Sequence, residues 1–417
     1  MDRTDMDRQA PSGRRPSTDR RAPAGGPPLT YLDHAASAPV RDEVVAAMAP
    51  FAAQVFGHPS GHHRQARAAR QAVEDARDQV AELLGAAPGE VVFTSGGTEA
   101  DNLAVLGVLG AAARRRAGQE TVVVSSAIEH AAVLEACRAA AARLPGVEHA
   151  LVGVDTLGVL DLERLAEVLA EALDARVSLV TVMLANNEVG TVQPLSDVVA
   201  LTRRLAPGAV VHTDAVQGAA WLDVALAARG VDLISVSAHK LGGPKGAGAL
   251  VVREGTELEP LVVGGGQERE RRAGTHDVAG AVGLATALAL VAKERDAEAV
   301  RVGALRDRLA DGLLDAVPSV TEAADRKSVV PGTCHLCFEG VDREELVVLL
   351  DEAGVCVSAG AACASGALEP SHVLAAMGVP ARIARGSIRF SLGHTTSPAD
   401  VERALAVVPE AVARLRG

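Results

Sequence analysis

Aromatic residues are scarce in this chain: among 417 residues there are one Trp, one Tyr and five Phe. The core must therefore be built from Ala, Val and Leu. Cysteines are also few, five in all, with no even framework and no signal peptide. That usage fits a reducing, cytoplasmic setting and excludes a disulfide-stapled secreted fold. Long hydrophobic runs are missing, because Arg, Glu and Asp interrupt the Ala-rich stretches, so no membrane span is expected. Positive charge is in deficit: 41 Lys and Arg face 53 Asp and Glu, a formal net charge of −12. With no basic patch interleaved with aromatics, a direct nucleic-acid partner is not expected.

What is present is ample apolar material, 48% of the residues, in a chain longer than one ordinary domain. Two domains, one large and one small, are expected. Residues 1–28 are rich in Arg, Asp, Pro, Gly and Ser without hydrophobic periodicity, and read as a disordered tail. A mistaken start site or a weak docking segment would each explain it. Further on, short apolar strands alternate with helical patterns, and polar residues gather at the strand ends. That arrangement implies an α/β fold with a mainly parallel sheet.

The most informative stretch runs from Val231 to Leu250. A buried strand delivers Ser237, His239 and Lys240 and then breaks into a Gly/Pro loop. Desolvation lowers an amine's pKa, and a neutral amine forms a Schiff base with an aldehyde. Upstream, the strand beginning at Val210 ends in Asp214, followed by Gln217. A strand-end Lys and a strand-end carboxylate suggest pyridoxal phosphate, whose aldehyde meets the Lys and whose ring nitrogen meets the Asp. Thr94-Ser-Gly-Gly-Thr-Glu-Ala-Asp-Asn102 reads as strand, glycine turn, helix. Free N–H groups at such a helix start cradle phosphate, here at Gly97 and Thr98, with Ser237 and His239 as further donors. Asn187 and Gln217 are expected at the cofactor's phenolic oxygen, Asn187 also at a substrate carboxylate. Arg389, on a strand, carries a planar guanidinium suited to that carboxylate.

Other candidates carry less. His58, His62 and His63 share a Gly/Pro loop without a helical i,i+4 pair or carboxylate partners, so no metal is expected there. Cys334 and Cys337 would face opposite sides of a strand, and Cys137 and Cys356 read as small core residues. Cys363 differs. It sits among small residues, Val357 to Pro370, that cannot anchor themselves by packing. A cysteine on such a segment is a candidate mobile nucleophile.

Taken in order, these motifs resemble the first group of cysteine desulfurases, related to the aminotransferase-like pyridoxal-phosphate enzymes. The resemblance spans Tyr31 to the C-terminus. It rests on Tyr31-Leu-Asp-His-Ala-Ala36, the Thr94–Asn102 turn, Glu129-His130, Asn186-Asn-Glu-Val-Gly190, Asp214-Ala-Val-Gln217, Ser237-Ala-His-Lys240, Gly274-Thr275, Ala362-Cys-Ala-Ser365 and Ser387-Ile-Arg-Phe-Ser-Leu392. It implies fold type I of the pyridoxal-phosphate enzymes, with a mainly parallel seven-stranded sheet. The large domain would span 42–291, and 29–41 with 292–417 would form a smaller α/β domain carrying the Cys363 loop. His130 would stack on the ring and shuttle protons. Thr275 would reach the phosphate of a partner subunit, which implies a homodimer. The implied reaction removes sulfur from L-cysteine, leaving L-alanine and a persulfide on Cys363. Acceptors would be an iron–sulfur scaffold or a tRNA-thiolation enzyme. No resident metal is implied; the one opening for a metal is transient cluster ligation by Cys363. The chain departs from the family at His34, read as a mouth-lining residue without chemistry, and at His58. A selenocysteine lyase, an aminotransferase and a non-catalytic sulfur-transfer platform are the rival readings.

Overall fold

A computed structural model describes residues 29–115, 119–172, 176–360 and 371–417. The expected tail, 1–28, and Cys363 lie outside the described residues.

The largest element is a seven-stranded sheet. Its strands run in the order Val91–Thr94, Gly248–Val252, Leu233–Ser237, Val210–Asp214, Val177–Thr181, Thr121–Ser126, Val147–Val152. Gly248–Val252 is antiparallel to both neighbours, and every other pairing is parallel. The mainly parallel seven-stranded sheet expected from the sequence is therefore what the chain forms.

Strands buried on both faces should be rich in apolar, β-branched residues, and the inner strands are, whereas the edge strand Val147–Val152 exposes Glu148 and Leu151. Alternate residues go to opposite faces. Val124, Val180, Ile234 and Val251 join one core, while their chain neighbours Val123, Leu179, Leu233 and Leu250 join another. Helices Gly97–Arg115 and Ala131–Arg143 cover the second face through Leu103, Leu109 and Val133. Arg64–Leu83, Leu162–Glu171 and Leu195–Leu205 cover the first through Val80, Leu165 and Val198. The result is a three-layer α/β sandwich.

The register places the chemistry. Thr94 and Ser237 both pair with Gly248, and Asp214 pairs with Ser235. The carboxyl ends of these strands thus share one edge of the sheet, the edge where open α/β sheets bind ligands.

A separate core surrounds a three-stranded antiparallel sheet, Ser387–Ser391, Thr333–Phe338, Val320–Glu322. Phe338, Phe390, Ile388 and Leu346 fill it. Helix Val278–Ala316 gives Leu284, Leu288 and Val291 to the first core and Val302, Leu309 and Leu313 to this one. Cys334 points into this core. Cys337 points to the opposite face, beside Ile128 and Met183. Among the described residues no helix is long and apolar enough to cross a membrane.

The loop Gly264 to Asp277, polar in sequence and expected to be a solvated connection, holds a buried ion pair. Arg77 donates Nη1 and Nη2 to the two carboxylate oxygens of Glu268, each at 2.8 Å. Phe93 N and His276 Nε2 also meet that carboxylate, at 3.0 and 2.8 Å. Glu268, Arg269 and Glu270 all have positive φ, so the pair holds a backbone that side chains disfavour. Burial alone would raise the Glu268 carboxyl pKa; the hydrogen bonds from Arg77 and His276 outweigh it and bring it down to about 2. Because the folded value lies below the ordinary 4.5, this contribution is complete above that pH and fades as pH falls towards 2. Arg77→Ala takes the guanidinium from a buried carboxylate, leaving it only Phe93 N and His276, and should cost about 3 kcal/mol. Denaturant midpoints measure it, and a loss below about 1 kcal/mol would remove the pair from the account.

Candidate active site

The shared strand edge opens into a cavity of about 580 Å³. Lys240 ends a short 3-10 turn, Ala238–Lys240, directly after the strand Leu233–Ser237. Its Nζ donates to the Ala35 and Ala36 carbonyls at 2.6 and 3.0 Å. Gln217 Nε2 donates to the same Ala35 oxygen at 2.7 Å. The Tyr31–Ala36 segment therefore runs along the cavity and receives both side chains.

A buried acid cluster lies beneath. Asp214 Oδ1 accepts from Val216 N at 2.8 Å. Its carboxyl pKa is raised by burial, against the opposing pull of His130 and Lys240. Asp101, one turn into the helix that starts at Gly97, is pushed well up by burial and then by Asp214. Glu129 is pushed up to about 8 by burial, although Ser126 and Met183 N donate to it. Ligand atoms of Asp101, His130 and Asp214 all lie within 4.8 Å of one another. His130 caps the helix Ala131–Arg143, its Nδ1 accepting from Ala132 N at 3.1 Å. A backbone N–H only donates, so Nδ1 is bare and Nε2 carries the proton of the neutral ring.

Away from the acids, the cavity turns cationic and rich in donors. Gly97 opens the helix Gly97–Arg115; a Cβ there would lie 2.7 Å from Val216 Cγ2, so the position requires glycine. A side cleft of about 360 Å³ joins Gly97, Thr98, Ser237, His239 and Lys245. Ser237 Oγ is buried with no hydrogen-bond partner among the described residues. Burial, then Lys240 and Lys245, lowers the His239 pKa to about 4, so that ring is neutral. An unpaired hydroxyl, a helix start and a lysine together make an anion cradle.

Across the cavity stands Arg389, 2% exposed. It donates Nη1 to Asn187 O at 2.7 Å and Nη2 to Asp33 Oδ1 at 2.8 Å. Its Nε is buried without a partner among the described residues.

The class-V aminotransferase family profile matches residues 30–404. A cysteine desulfurase of Cereibacter sphaeroides is 46% identical over 387 residues, covering 93% of this chain and 96% of that protein. An IscS-like cysteine desulfurase of Mycobacterium tuberculosis is 43% identical over 393 residues, covering 93% and 97%.

The chain belongs to the class-V aminotransferase family, among its cysteine desulfurases.

The solved structure of a NifS-like protein agrees, with a TM-score of 0.84 and 34% identity over 93% of this chain and all of that one. In this family member, Gly97, Thr98, His130, Asn187, Asp214, Gln217, Ser237, His239, Lys240 and Arg389 all line the one cavity. Thr275 does not; it is exposed on the Gly264–Asp277 loop, its Oγ1 3.3 Å from His58 Nε2. His34 is buried rather than at the mouth. Its Nδ1 meets Ser391 O at 3.1 Å and its Nε2 Thr395 Oγ1 at 2.8 Å, so it fastens the Tyr31–Ala36 segment to the strand end beyond Arg389. Burial lowers its pKa to about 4.

Sequence reasoning missed three residues of the site. Asp33 sits inside a quoted motif, but only the fold shows that it pairs with Arg389. Asp101 follows Gly97 by four residues, a spacing that puts it on the same face of that helix, beside Asp214. His372, with Nε2 3.0 Å from Glu129 O, reaches the cavity from the helix His372–Ala376, and nothing local in the sequence announces it.

Proposed function

We propose that this chain is a pyridoxal-phosphate-dependent cysteine desulfurase that converts L-cysteine to L-alanine and keeps the sulfur as a persulfide on Cys363. The observation that carries this reading is the convergence of Lys240, Asp214 and Arg389 on a cavity whose rim includes Gly360. Cys363 follows Gly360 by three residues.

The residues present fit the cofactor. The unpaired Ser237 hydroxyl, the Gly97–Thr98 helix start and His239 form the anion cradle that its phosphate requires. Lys240 supplies the amine and Asp214 the carboxylate, with Gln217 and Asn187 for the phenolic oxygen. Bound there, pyridoxal phosphate supplies an aldehyde that takes up an amine and a protonated ring that draws electrons from the substrate Cα.

The chain's own groups do the rest. Arg389 keeps one donor on Asp33 and offers its unpaired Nε, with Asn187, to the substrate carboxylate. Lys240 Nζ takes the Cα proton and returns it. His130, protonated at Nε2, moves protons at the cavity wall. The Cys363 thiolate forms an S–S bond to the substrate sulfur as the Cβ–S bond breaks. The released electron pair stays on the carbon skeleton, which is protonated to alanine. One thiol becomes one persulfide, and no outside oxidant is needed.

The same reading extends to the assembly. The chain acts in the cytoplasm as a homodimer in which Thr275 of the partner subunit reaches the phosphate. Its position outside its own chain's cavity supports that exchange. The large domain is 42–291, and the smaller one joins 29–41 to 292–417. Their separate cores support the division, one long helix passing between them. The sulfur goes to a protein acceptor such as an iron–sulfur scaffold or a tRNA-thiolation enzyme.

Turnover of L-cysteine by the pyridoxal-phosphate-loaded protein, with a thiol reductant, tests the reading. Alanine and sulfide should appear in equal amounts. A keto acid in place of alanine would identify an aminotransferase instead.

A further inference from the structure

Glu188 lies in the Asn186–Gly190 motif. In the fold it is 2% exposed, and its carboxylate bonds the residue that follows the ten residues 361–370 and lies near the one that precedes them. Ser371, the first described residue after that segment, donates Oγ to Glu188 Oε2 at 2.5 Å. Gly360, the last before it, approaches the same oxygen so closely that a Cβ would stand 3.1 Å away. That Cβ would also lie 3.3 Å from His335 Cε1, and Gly360 has φ +83°. Only glycine satisfies both demands.

Each partner is fixed by further bonds. Ser371 Oγ also accepts from Val373 N and Leu374 N, capping the helix that follows, so its proton is committed to Glu188. The Glu188 carbonyl accepts from His335 Nδ1 at 3.0 Å. Glu188 N and Val189 N both donate to Asn186 Oδ1, whose Nδ2 donates to Ile128 O. The next residue back, Asn187, presents its carbonyl to Arg389. Arg389 in turn exchanges backbone hydrogen bonds with Ser358, whose Oγ accepts from Gly360 N. One turn therefore accepts from the guanidinium in the cavity and from Ser371 after the cysteine-bearing segment, while Ser358, paired with Arg389, accepts from Gly360 before it.

We infer that Glu188 is a positioning residue that fastens the end of the 361–370 segment at Ser371, close beside its other end at Gly360, and so sets where the Cys363 thiol can act. The inference rests on the desulfurase reading for the thiol's task, but not for the anchor itself. A tethered nucleophile works at an effective concentration set by its tether, and freeing one end enlarges the volume that it samples. Removing Glu188 also leaves Ser371 Oγ with a buried, unpaired proton.

The test uses the full-length, pyridoxal-phosphate-loaded protein and the variants Glu188→Ala, Glu188→Gln and Ser371→Ala. Amide exchange in 356–360 and 371–376 should quicken at least about tenfold in both alanine variants. Exchange in the strand Leu233–Ser237 should stay unchanged, as the internal control for global folding. Alkylation of Cys363 by iodoacetamide should change in parallel. First-turnover persulfide formation should fall, while the L-cysteine concentration that half-saturates the cofactor's spectral response stays put. Glu188→Gln, which keeps an acceptor for Ser371, should recover most of the protection. Wild-type exchange and alkylation in Glu188→Ala would overturn the anchor, whatever the activity. Altered exchange in a protein that releases no sulfur would overturn the desulfurase reading and leave the anchor standing.

Discussion

Lys240→Ala should abolish the visible absorbance of covalently held cofactor and lower L-cysteine turnover by at least about 10³-fold. The size of the effect follows from two tasks given to one atom. Nζ lies where the strand Leu233–Ser237 delivers it, 2.6 and 3.0 Å from two carbonyls of the Tyr31–Ala36 segment. In the proposed function that position would serve an anchoring amine first and a proton carrier afterwards. Lys240→Arg separates these tasks from charge. Arginine stays protonated and cannot act as an amine nucleophile, so it should fail as completely as alanine. Asp214 and the anion cradle are untouched by either change, so the variants should still bind the cofactor, reversibly and removable by dialysis. Absorbance before and after dialysis measures this. A visible band that survives dialysis of Lys240→Ala would place the anchor elsewhere.

The contrast between Lys240 and Arg389 shows what the sequence made legible. Lys240, Asp214 and Ser237 were readable because each ends an apolar, β-branched run. In a parallel sheet such ends meet at one edge whatever the loops between them do. The same logic exposed Gly97 and Thr98, whose helix start is a local feature. Arg389 could be proposed as a carboxylate ligand from its strand, but its pairing with Asp33 spans more than 350 positions and rests on the bridge between Asp33 and Ser391. Arg77 and Glu268 were invisible for the same reason. Each looks like a surface charge in its own segment, and only the packing of helix Arg64–Leu83 against the Gly264–Asp277 loop buries both. His34 shows the converse: its neighbours Ala35 and Ala36 present their carbonyls to Lys240, while its own ring bonds Ser391 O and Thr395 Oγ1.

Cys363→Ala should drop sulfide release from L-cysteine by at least about 10³-fold while leaving the cofactor's absorbance, and its change on adding L-cysteine, intact. The other thiols offer no substitute. Burial pushes Cys137, Cys334 and Cys337 up to about 12 and raises Cys356 as well. A thiol of pKa about 12 is ionised only to about one part in 10⁴ at pH 8, and the thiolate is the nucleophile. Cys137 and Cys334 are also packed inside cores that no substrate enters. Mass spectrometry of the enzyme after one turnover in the absence of reductant should find the added sulfur on the peptide containing Cys363 and on no other. Cys363→Ser should behave like the alanine variant, because a hydroxyl keeps the size and cannot hold the sulfur. Selenocysteine separates the nearest rival: selenide released at the wild-type rate by Cys363→Ala would mark a lyase whose chemistry does not pass through this thiol. Undiminished sulfide release from L-cysteine by the same variant would remove Cys363 from the reaction.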